Sequence, residues 1–278
     1  MNPAPLRLAR LTIRDAEALW ARLKADEPAN IFAIADLEHF GWESPNLRFD
    51  GLFRDSRLIG HLMRYGTNSS FAYDDRDAIR MVQRWLRQKR IHYVNGMDCY
   101  VRPVLALLAP EEVPRAEESH LARLDAVHFQ PAALDASPGR ARRATLADLD
   151  GAARTHVAAP DEFAQLDYAT RLEALHIVLT DGWRRLFVAE NPNGQIVAAA
   201  QTTAEAQTLA VIGGIVTDPA YRGQGYGKAC TAALCAELLA EGKAPYLFYN
   251  KANVPAAHVY AAVGFEVIDE WILAELRL

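Results

Sequence analysis

The stretch TDPAYRGQGYGKA, residues 217–229, follows an apolar run and leads into a run of helix-forming residues. Its three glycines, Gly223, Gly225 and Gly227, stand at alternating positions. Glycine lets the backbone come close to a ligand, and the free N–H groups at the start of a helix attract anions. Because a simple turn needs only one such glycine, the stretch predicts a loop that binds a phosphate or pyrophosphate.

Two common nucleotide-binding motifs do not fit this loop. A Walker loop, G-x-x-x-x-G-K-[ST], would need glycine in place of Arg222 and serine or threonine in place of Ala229. A dinucleotide motif, G-x-G-x-x-G, that started at Gly225 would need glycine in place of Cys230. The pattern that remains is R-x-x-G-x-G over residues 222–227, between a predicted strand and a predicted helix.

A second motif, NVPAAHVYAAVGF, follows at residues 253–265. Together with the R-x-x-G-x-G loop and the strand exit V-x-x-P that starts at Val216, it resembles the GCN5-related N-acetyltransferase (GNAT) family. The motifs of that family are [RQ]-x-x-G-x-[GA], for the pyrophosphate of coenzyme A, and N-x-x-A-x-x-x-Y-x-x-x-G-F. The resemblance covers residues 140–278 and implies that acetyl-coenzyme A is the co-substrate.

The resemblance also implies which residues bind coenzyme A. Backbone amides of residues 223–228 would hold the pyrophosphate, and Arg222 and Lys228 would add positive charge on either side. The strand end before the loop would offer its backbone to the pantetheine arm, and Asn253 would hydrogen-bond the cofactor. The full expected set is Ile215, Val216, Thr217, Arg222, Gly223, Gln224, Gly225, Tyr226, Gly227, Lys228 and Asn253.

By the same resemblance, Tyr260 is the general acid that protonates the departing thiolate. The alternative is an aromatic side chain that only packs its helix. Acetyl transfer to an amine also needs a carboxylate or an ordered water to take the proton of the amine. The strand at 208–217 has no ionisable side chain, so the candidate base is the nearest acidic residue, Glu205, unless it is only a solvated loop charge. Three further candidates, His156, Glu162 and His176, have no better support.

A Pro-, Gly- and Ser-containing stretch, PAALDASPGRAR at residues 131–142, is typical of a linker. It divides the chain into predicted domains 1–136 and 137–278. The pattern R-x-T-x-x-D-x-[DE] occurs once in each, at Arg10 and Arg143, at an offset close to half the chain. Each copy predicts a strand that runs into a helix capped by threonine. The two halves are therefore interpreted as duplicated lobes, although this cap is common enough for a chance match.

The pattern of the second half predicts an α+β class with a mixed sheet. Gly213 and Gly214 are expected to form a bulge that separates the strand at 208–217 from the next strand and opens a slot for the pantetheine arm. The expected elements are a helix after Thr145, a helix over 161–179, a hairpin of strands 186–190 and 195–203, strand 208–217, helix 225–241, strand 245–250, helix 253–263 and a last strand from 265.

The first half has neither cofactor motif. Where the glycine loop would stand it has four charged residues, DDRD at 74–77, whose carboxylates would repel coenzyme A. We therefore expect a degenerate GNAT-like lobe without a cofactor, in a tandem arrangement similar to two-lobe acetyltransferases. This lobe would complete a substrate cleft or stabilise the catalytic lobe. Aromatic and acidic residues of ANIFAIADLEHFGWESP, residues 29–45, would line that cleft, but a core helix explains them equally well.

Composition sets limits on partners and location. The chain has 278 residues, 51% of them hydrophobic, and a formal net charge of −5, which favours neither nucleic acid nor an anionic membrane. No stretch approaches the roughly 18 apolar residues of a membrane span, and the start has no signal-peptide core, so a cytoplasmic protein is expected. The three cysteines form no C-x-x-C pair, and no metal is expected.

These observations favour an acetyl-coenzyme A-dependent N-acetyltransferase. An amine of a small molecule or peptide would attack directly, because Cys230 and Cys235 lie within the predicted helix and not at the mouth of the loop. Two alternatives remain open: a non-catalytic protein that binds or senses acyl-coenzyme A, and an acyltransferase that uses a longer acyl chain. The sequence leaves the acceptor and the oligomeric state undecided, a homodimer included.

Overall fold

A computed structural model describes residues 4–159 and 166–278. Its strands are β1 (Leu6–Arg10), β2 (Leu47–Arg54), β3 (Arg57–Tyr65), β4 (Asn68–Tyr73), β5 (Tyr93–Met97), β6 (Arg115–Arg123), β7 (Arg140–Arg143), β8 (Leu186–Glu190), β9 (Ile196–Glu205), β10 (Leu209–Thr217), β11 (Ala244–Asn250) and β12 (Glu266–Glu275). Its helices are α1 (Ala16–Ala25), α2 (Glu27–Phe40), α3 (Ile79–Lys89), α4 (Asp98–Leu105), α5 (Leu149–Ala158), α6 (Tyr168–Thr180), α7 (Tyr226–Ala240) and α8 (Val254–Val263).

The chain forms two compact units. The first consists of Met1–His120 with Asp269–Leu278, and the second of Leu121–Ile268. The last ten residues therefore belong to the first unit, although the chain reaches them directly from the second. The boundary expected near residue 137 falls inside the second unit, and the division into functional domains 1–136 and 137–278 stays a prediction. No helix in the described ranges is long and apolar enough to cross a lipid bilayer.

The second unit contains a mixed sheet with the strand order β7-β8-β9-β10-β11. Its neighbours are antiparallel except for β10 and β11, which are parallel. Helix α7 covers one face, where it packs on Ala198 and Ala200, and α5 and α6 cover the other, where they pack on Ala199. These alternating alanines of β9 let helices approach both faces of the sheet closely. The predicted mixed α+β class is confirmed.

The first unit repeats much of this plan. Its strands follow the order β1-β2-β3-β4-β5-β12, and only β4 and β5 are parallel. Both predicted caps contain the expected threonine–aspartate pair, and the side chain of Thr12 also accepts from the Arg14 N–H at 3.3 Å, whereas the Thr145 side chain makes no such bond with the described residues. The backbone N–H of Thr12 donates to Asp15 Oδ2, and that of Thr145 donates to Asp148 Oδ2, each at 2.8 Å. Each cap starts a short 3-10 turn that continues into α1 or α5.

The predicted elements of the second unit occur within a few residues of their expected positions. The clearest difference concerns the helix predicted over 161–179. Its observed counterpart, α6, begins at Tyr168, where Asp167 caps it by accepting a hydrogen bond from the Thr170 N–H. Residues 160–165 lie outside the described residues, and with them the candidate base Glu162.

Candidate functional site

The predicted phosphate loop lies between β10 and α7, as the sequence indicated. Gly223 and Gly225 have φ angles of 75° and 85°, in the left-handed region that favours glycine. Gly225 precedes the first turn of α7, and no side chain of the described residues is seen to cap that turn. The first N–H groups of a helix have no acceptor within the helix, and the helix dipole places positive potential there. The start of α7 is therefore suited to an anion.

Only one side of this loop is open. A Cβ atom added to Gly223 would have no atom of the described residues within 4 Å apart from its chain neighbours. A Cβ atom added to Gly225 would collide with the carbonyl oxygen of Ala136, and one added to Gly139 would lie 2.8 Å from the ring of Tyr226. The backbone of residues 136–139 thus packs against the start of α7. Sequence reasoning missed this contact, which gives Gly225 a structural role in addition to the predicted one.

Two basic side chains flank the loop without acidic partners. Arg222 is exposed, and its Nε donates to the carbonyl oxygen of Thr217 at 3.3 Å. Lys228 is partly exposed in the first turn of α7. Within the described ranges neither forms an ion pair, so both charges are available to an anion at the loop. Gln224 makes only a local contact, with its Nε2 donating to Ala220 O at 3.3 Å.

The predicted bulge is present in β10. The register between β9 and β10 shifts between Gly213 and Val216, and Gly214 has a φ of 56°. The parallel pairing of β10 with β11 ends at Ile212 and Leu247. Beyond that pair the two strands separate, while Val216 and Thr217 still pair with β9. The backbone groups of residues 215–217 on the β11 side are therefore not paired with β11, and a ligand can bind to them.

Gln201 lies at this bulge, and sequence reasoning did not single it out. It pairs with Gly213, and its side-chain amide carbon lies 3.1 Å from the position that a Cβ of Gly214 would take. Its Oε1 is buried and accepts no hydrogen bond from any described residue. Because Ala199, two residues earlier, packs under α5 and α6, Gln201 is on the same face of the sheet. The signal that the sequence offered for this residue was one amide side chain in the strand that pairs with the Gly213–Gly214 strand.

Tyr260 and Asn253 are both on α8. Tyr260 is 8% exposed, and its ring centroid is 5.2 Å from that of Tyr249 on β11 and 6.1 Å from that of Phe265. This position is beside the strand that separates from β10, and burial raises the pKa of Tyr249 there. Asn253 caps α8, since its Oδ1 accepts from the Ala256 N–H at 3.1 Å. Asn253 therefore has a structural role that its predicted cofactor contact did not include.

Glu205 is held in a buried ion-pair network. Arg185 donates to both of its carboxylate oxygens, at 2.8 and 2.7 Å, and Lys243 and Thr202 each donate at 2.8 Å. Burial alone would raise the pKa of Glu205, but these hydrogen bonds hold it below its usual value. Glu205 pairs with Ala210, near the start of β10 and before the bulge. Its occupied oxygens and this position argue against the role of general base.

The remaining base and nucleophile candidates are not favoured by their surroundings. His156 on α5 is 3% exposed, and burial, followed by the charge of Arg171, lowers its pKa to about 3. His176 is exposed on α6. Cys230 and Cys235 are fully buried in α7, and burial raises the pKa of both thiols. A buried neutral thiol is a poor nucleophile, which agrees with direct attack by the acceptor.

Comparisons with solved structures identify the fold. A GCN5-related N-acetyltransferase from Sphaerobacter thermophilus superposes with a TM-score of 0.65 at 16% identity, over 99% of this chain and 98% of the other. An acetyltransferase of the GNAT family from Colwellia psychrerythraea gives 0.61 at 13%, over 98% and 100%. A tandem GNAT protein from the clavulanic acid biosynthesis pathway gives 0.59 at 17%, over 97% and 98%. At these identities the likeness shows the fold alone, which is the tandem GNAT fold.

Sequence comparison matches part of the second unit to a protein family. No curated protein sequence matches the chain significantly. Residues 151–265 match the model of the acetyltransferase (GNAT) family, and this range contains the glycine loop and Tyr260. The match and the fold together support acyl-coenzyme A-dependent acyltransferase activity. Residues 151–265 are therefore a domain of the acetyltransferase (GNAT) family.

Proposed function

We propose that the protein is an acetyl-coenzyme A-dependent N-acetyltransferase whose reaction takes place in the second unit. One observation carries this proposal: the uncapped start of α7 lies at the end of β10, where β10 has separated from β11. The loop, which suits an anion, and the unpaired edge of β10 are therefore only a few residues apart in the chain. A pyrophosphate needs the first feature, and the amide groups of a pantetheine arm need the second.

The residues present fit coenzyme A. Gly223 offers an open side of the loop, and Arg222 and Lys228 supply positive charge that no carboxylate of the described residues pairs with. The edge of residues 215–217 can pair with the arm as a neighbouring strand would. Asn253 uses its Oδ1 as a cap, so its Nδ2 is the group that would meet the cofactor. The contact of Ala136 with Gly225 directs the approach to the Gly223 side.

The chemistry follows from the groups around the bulge. Bound acetyl-coenzyme A supplies a thioester, at whose carbonyl carbon the C–N bond forms as the C–S bond breaks. Gln201 Oε1, which has no donor among the described residues, accepts an N–H of the acceptor amine and orients its lone pair. Tyr260 donates its phenolic proton to the departing sulfur and regains one from solvent. The proton lost by the amine passes to water, because β10 carries no ionisable side chain.

The acceptor is an amine of a small molecule or a peptide. The net charge of −5 does not oppose the approach of a cation. The involvement of Glu205 in a structural network favours a second candidate function, a non-catalytic protein that binds acyl-coenzyme A. The two candidates share the loop and the strand edge, and they differ only in whether an acceptor is turned over.

The experiment that separates them measures binding and turnover on the same samples. Calorimetry would measure acetyl-coenzyme A binding, and thiol release would measure turnover across a panel of primary amines and peptides. We expect turnover of at least one amine and a fall in kcat of about 100-fold in Tyr260→Phe with binding retained. Tyr249→Phe, which removes the neighbouring hydroxyl, is the matched control and should leave kcat within a few-fold. Binding without turnover of any amine would support the second candidate, and absence of binding would exclude both.

A further inference from the structure

Two ring contacts show which strands of the first unit helix α2 lies over. In the middle of the helix, the ring centroid of Phe32 is 6.2 Å from that of Trp271 on β12, and at the end of the helix the ring of Phe40 stacks on Tyr65 of β3 at 4.8 Å. Asp36 lies midway between Phe32 and Phe40 on the same face of the helix. Since β4 and β5 stand between β3 and β12 in the sheet, and α2 packs against both, Asp36 lies over these two strands.

The strands below Asp36 separate from each other. β4 and β5 pair only at Asn68 with Tyr93 and at Ser69 with Val94. Val94 packs in the core under α3 and α4, so the next residue, Asn95, is on the opposite face, toward α2. Oδ1 of Asn95 is buried and has no hydrogen-bond partner among the described residues. The opening between the strands therefore contains an acceptor without a donor.

Asp36 is a second acceptor, on the face of α2 that packs toward these strands. It is partly buried, and within the described ranges its carboxylate forms neither a hydrogen bond nor an ion pair. Burial raises its pKa to about 7. Two titratable groups on neighbouring elements of the described structure do not compensate it: Arg22 on α1 pairs with Asp74 at 2.8 Å, and burial, followed by the charge of Arg22, lowers the pKa of His61 on β3 to about 3.

The chemistry of these groups selects a ligand that donates hydrogen bonds and carries positive charge. A carboxylate and an amide oxygen accept from an ammonium group, and the rings of Phe32 and Trp271 suit a cation or an aromatic substituent. Coenzyme A is disfavoured here, because Asp75 and Asp77 stand where the second unit has its glycine loop. We propose that the first unit binds a primary amine, as its ammonium ion, between α2 and the diverging ends of β4 and β5, with Asp36 and Asn95 as acceptors.

The test uses the full chain and benzylamine as the probe, with benzyl alcohol as its neutral counterpart. Calorimetric titration at pH 8 should show saturable binding of benzylamine and binding of benzyl alcohol weaker by about tenfold or more. Asp36→Asn should lose about tenfold or more in affinity, and Asn95→Ala a smaller factor. Glu38→Gln removes an exposed carboxylate from the same helix and should not change the affinity. A titration of Gln201→Ala measures any part of the binding that occurs at the acceptor site of the second unit, and Asp36→Asn should retain that part.

Acidification supplies an independent readout. Benzylamine stays protonated below pH 8, and the lowered pKa of His61 keeps that side chain neutral near pH 7, so the change in charge comes from Asp36. The affinity of the wild type should fall as the pH decreases through 7, and that of Asp36→Asn should not. Absence of saturable binding, equal binding of benzyl alcohol, or an affinity that Asp36→Asn and Asn95→Ala both leave unchanged would overturn the proposal. Circular dichroism of each variant establishes that it is folded before titration.

Discussion

The carbonyl oxygen of Ala136 packs against the α-carbon of Gly225, the residue that precedes α7. The stretch that reads as a linker in the sequence is thus in contact with the predicted pyrophosphate loop. Gly225 meets two demands at once, a left-handed backbone and space for a neighbouring carbonyl group. Gly223 meets only the first, since its surroundings are open. The two glycines should therefore respond differently to the same substitution.

Gly225→Ala should destabilise the protein more than Gly223→Ala. A left-handed alanine costs about 1–2 kcal/mol at either position. At Gly225 the collision with Ala136 adds to this cost, because backbone and not a flexible side chain must move. The free energy of unfolding in urea would measure both variants. Equal losses in the free energy of unfolding at the two positions would contradict the close contact between Ala136 and Gly225.

Gln201→Ala should lower kcat by about tenfold or more while the affinity for acetyl-coenzyme A stays near that of the wild type. The reason is that Gln201 is placed to meet the acceptor amine and not the pyrophosphate. Gln201→Glu supplies a charged acceptor of similar shape, and it should restore part of the lost activity with a changed pH profile. Thr203→Ala, on the same face of β9, is the control. A matching loss of cofactor affinity in Gln201→Ala would assign the residue to cofactor binding instead.

Glu205→Gln should reduce stability and leave the pH profile of turnover unchanged in shape. Removal of one partner from a buried ion pair costs about 3–5 kcal/mol. Because the pKa of Glu205 is below its ordinary value of 4.5, its contribution is present above that pH and is lost on further acidification. Glu237→Gln removes a more exposed partner of Arg185, 31% exposed, and should cost less than about 1 kcal/mol. Loss of the acidic limb of the profile, where a general base becomes protonated, in Glu205→Gln would instead indicate that Glu205 is the base.

The parts of this site that sequence reasoning predicted are local in the chain. The loop at 222–227, the bulge at Gly213 and Gly214, and the cap at Thr145 each depend on neighbouring residues whose preferences are strong. The tandem fold was predictable for the same reason, since the two threonine caps mark equivalent positions in the two halves.

The parts that were missed depend on partners distant in sequence. Glu205 reads as a loop acid because Arg185 and Lys243, which bind it, are 20 and 38 residues away. The packing of Ala136 on Gly225, and the Gln201 oxygen that has no partner among the described residues, become visible only in the folded chain. Tertiary contacts of this kind leave no periodic signal in one sequence.

Lys228→Ala should weaken acetyl-coenzyme A binding by about tenfold and reduce the salt dependence of that binding. Its ammonium group is free of ion pairs in the described part of the chain and lies in the first turn of α7, so its charge acts on the ligand and not on the fold. The unfolding midpoint should change little. Lys24→Ala is the control, because it removes the same charge at a position in the first unit that is distant in sequence from the loop. Affinity that is insensitive to Lys228→Ala would place the phosphates elsewhere.

Asp36→Asn should stabilise the protein at pH 8 and have little effect at pH 4. Burial raises the pKa of Asp36 from 3.8 to about 7, so the folded state holds a proton that the unfolded state releases over this range. The stability of the wild type therefore falls as the pH rises from 4 to 7, at about 1.4 kcal/mol for each unit of pKa difference. Asparagine removes this cost, and thermal unfolding at the two pH values would measure the gain. If Asp36→Asn is more stable at pH 8 but binds amines poorly, the carboxylate lowers stability and serves binding. That combination is expected of a functional residue. A loss of stability at pH 8 would instead mean that the carboxylate of Asp36 has a favourable partner in the folded protein.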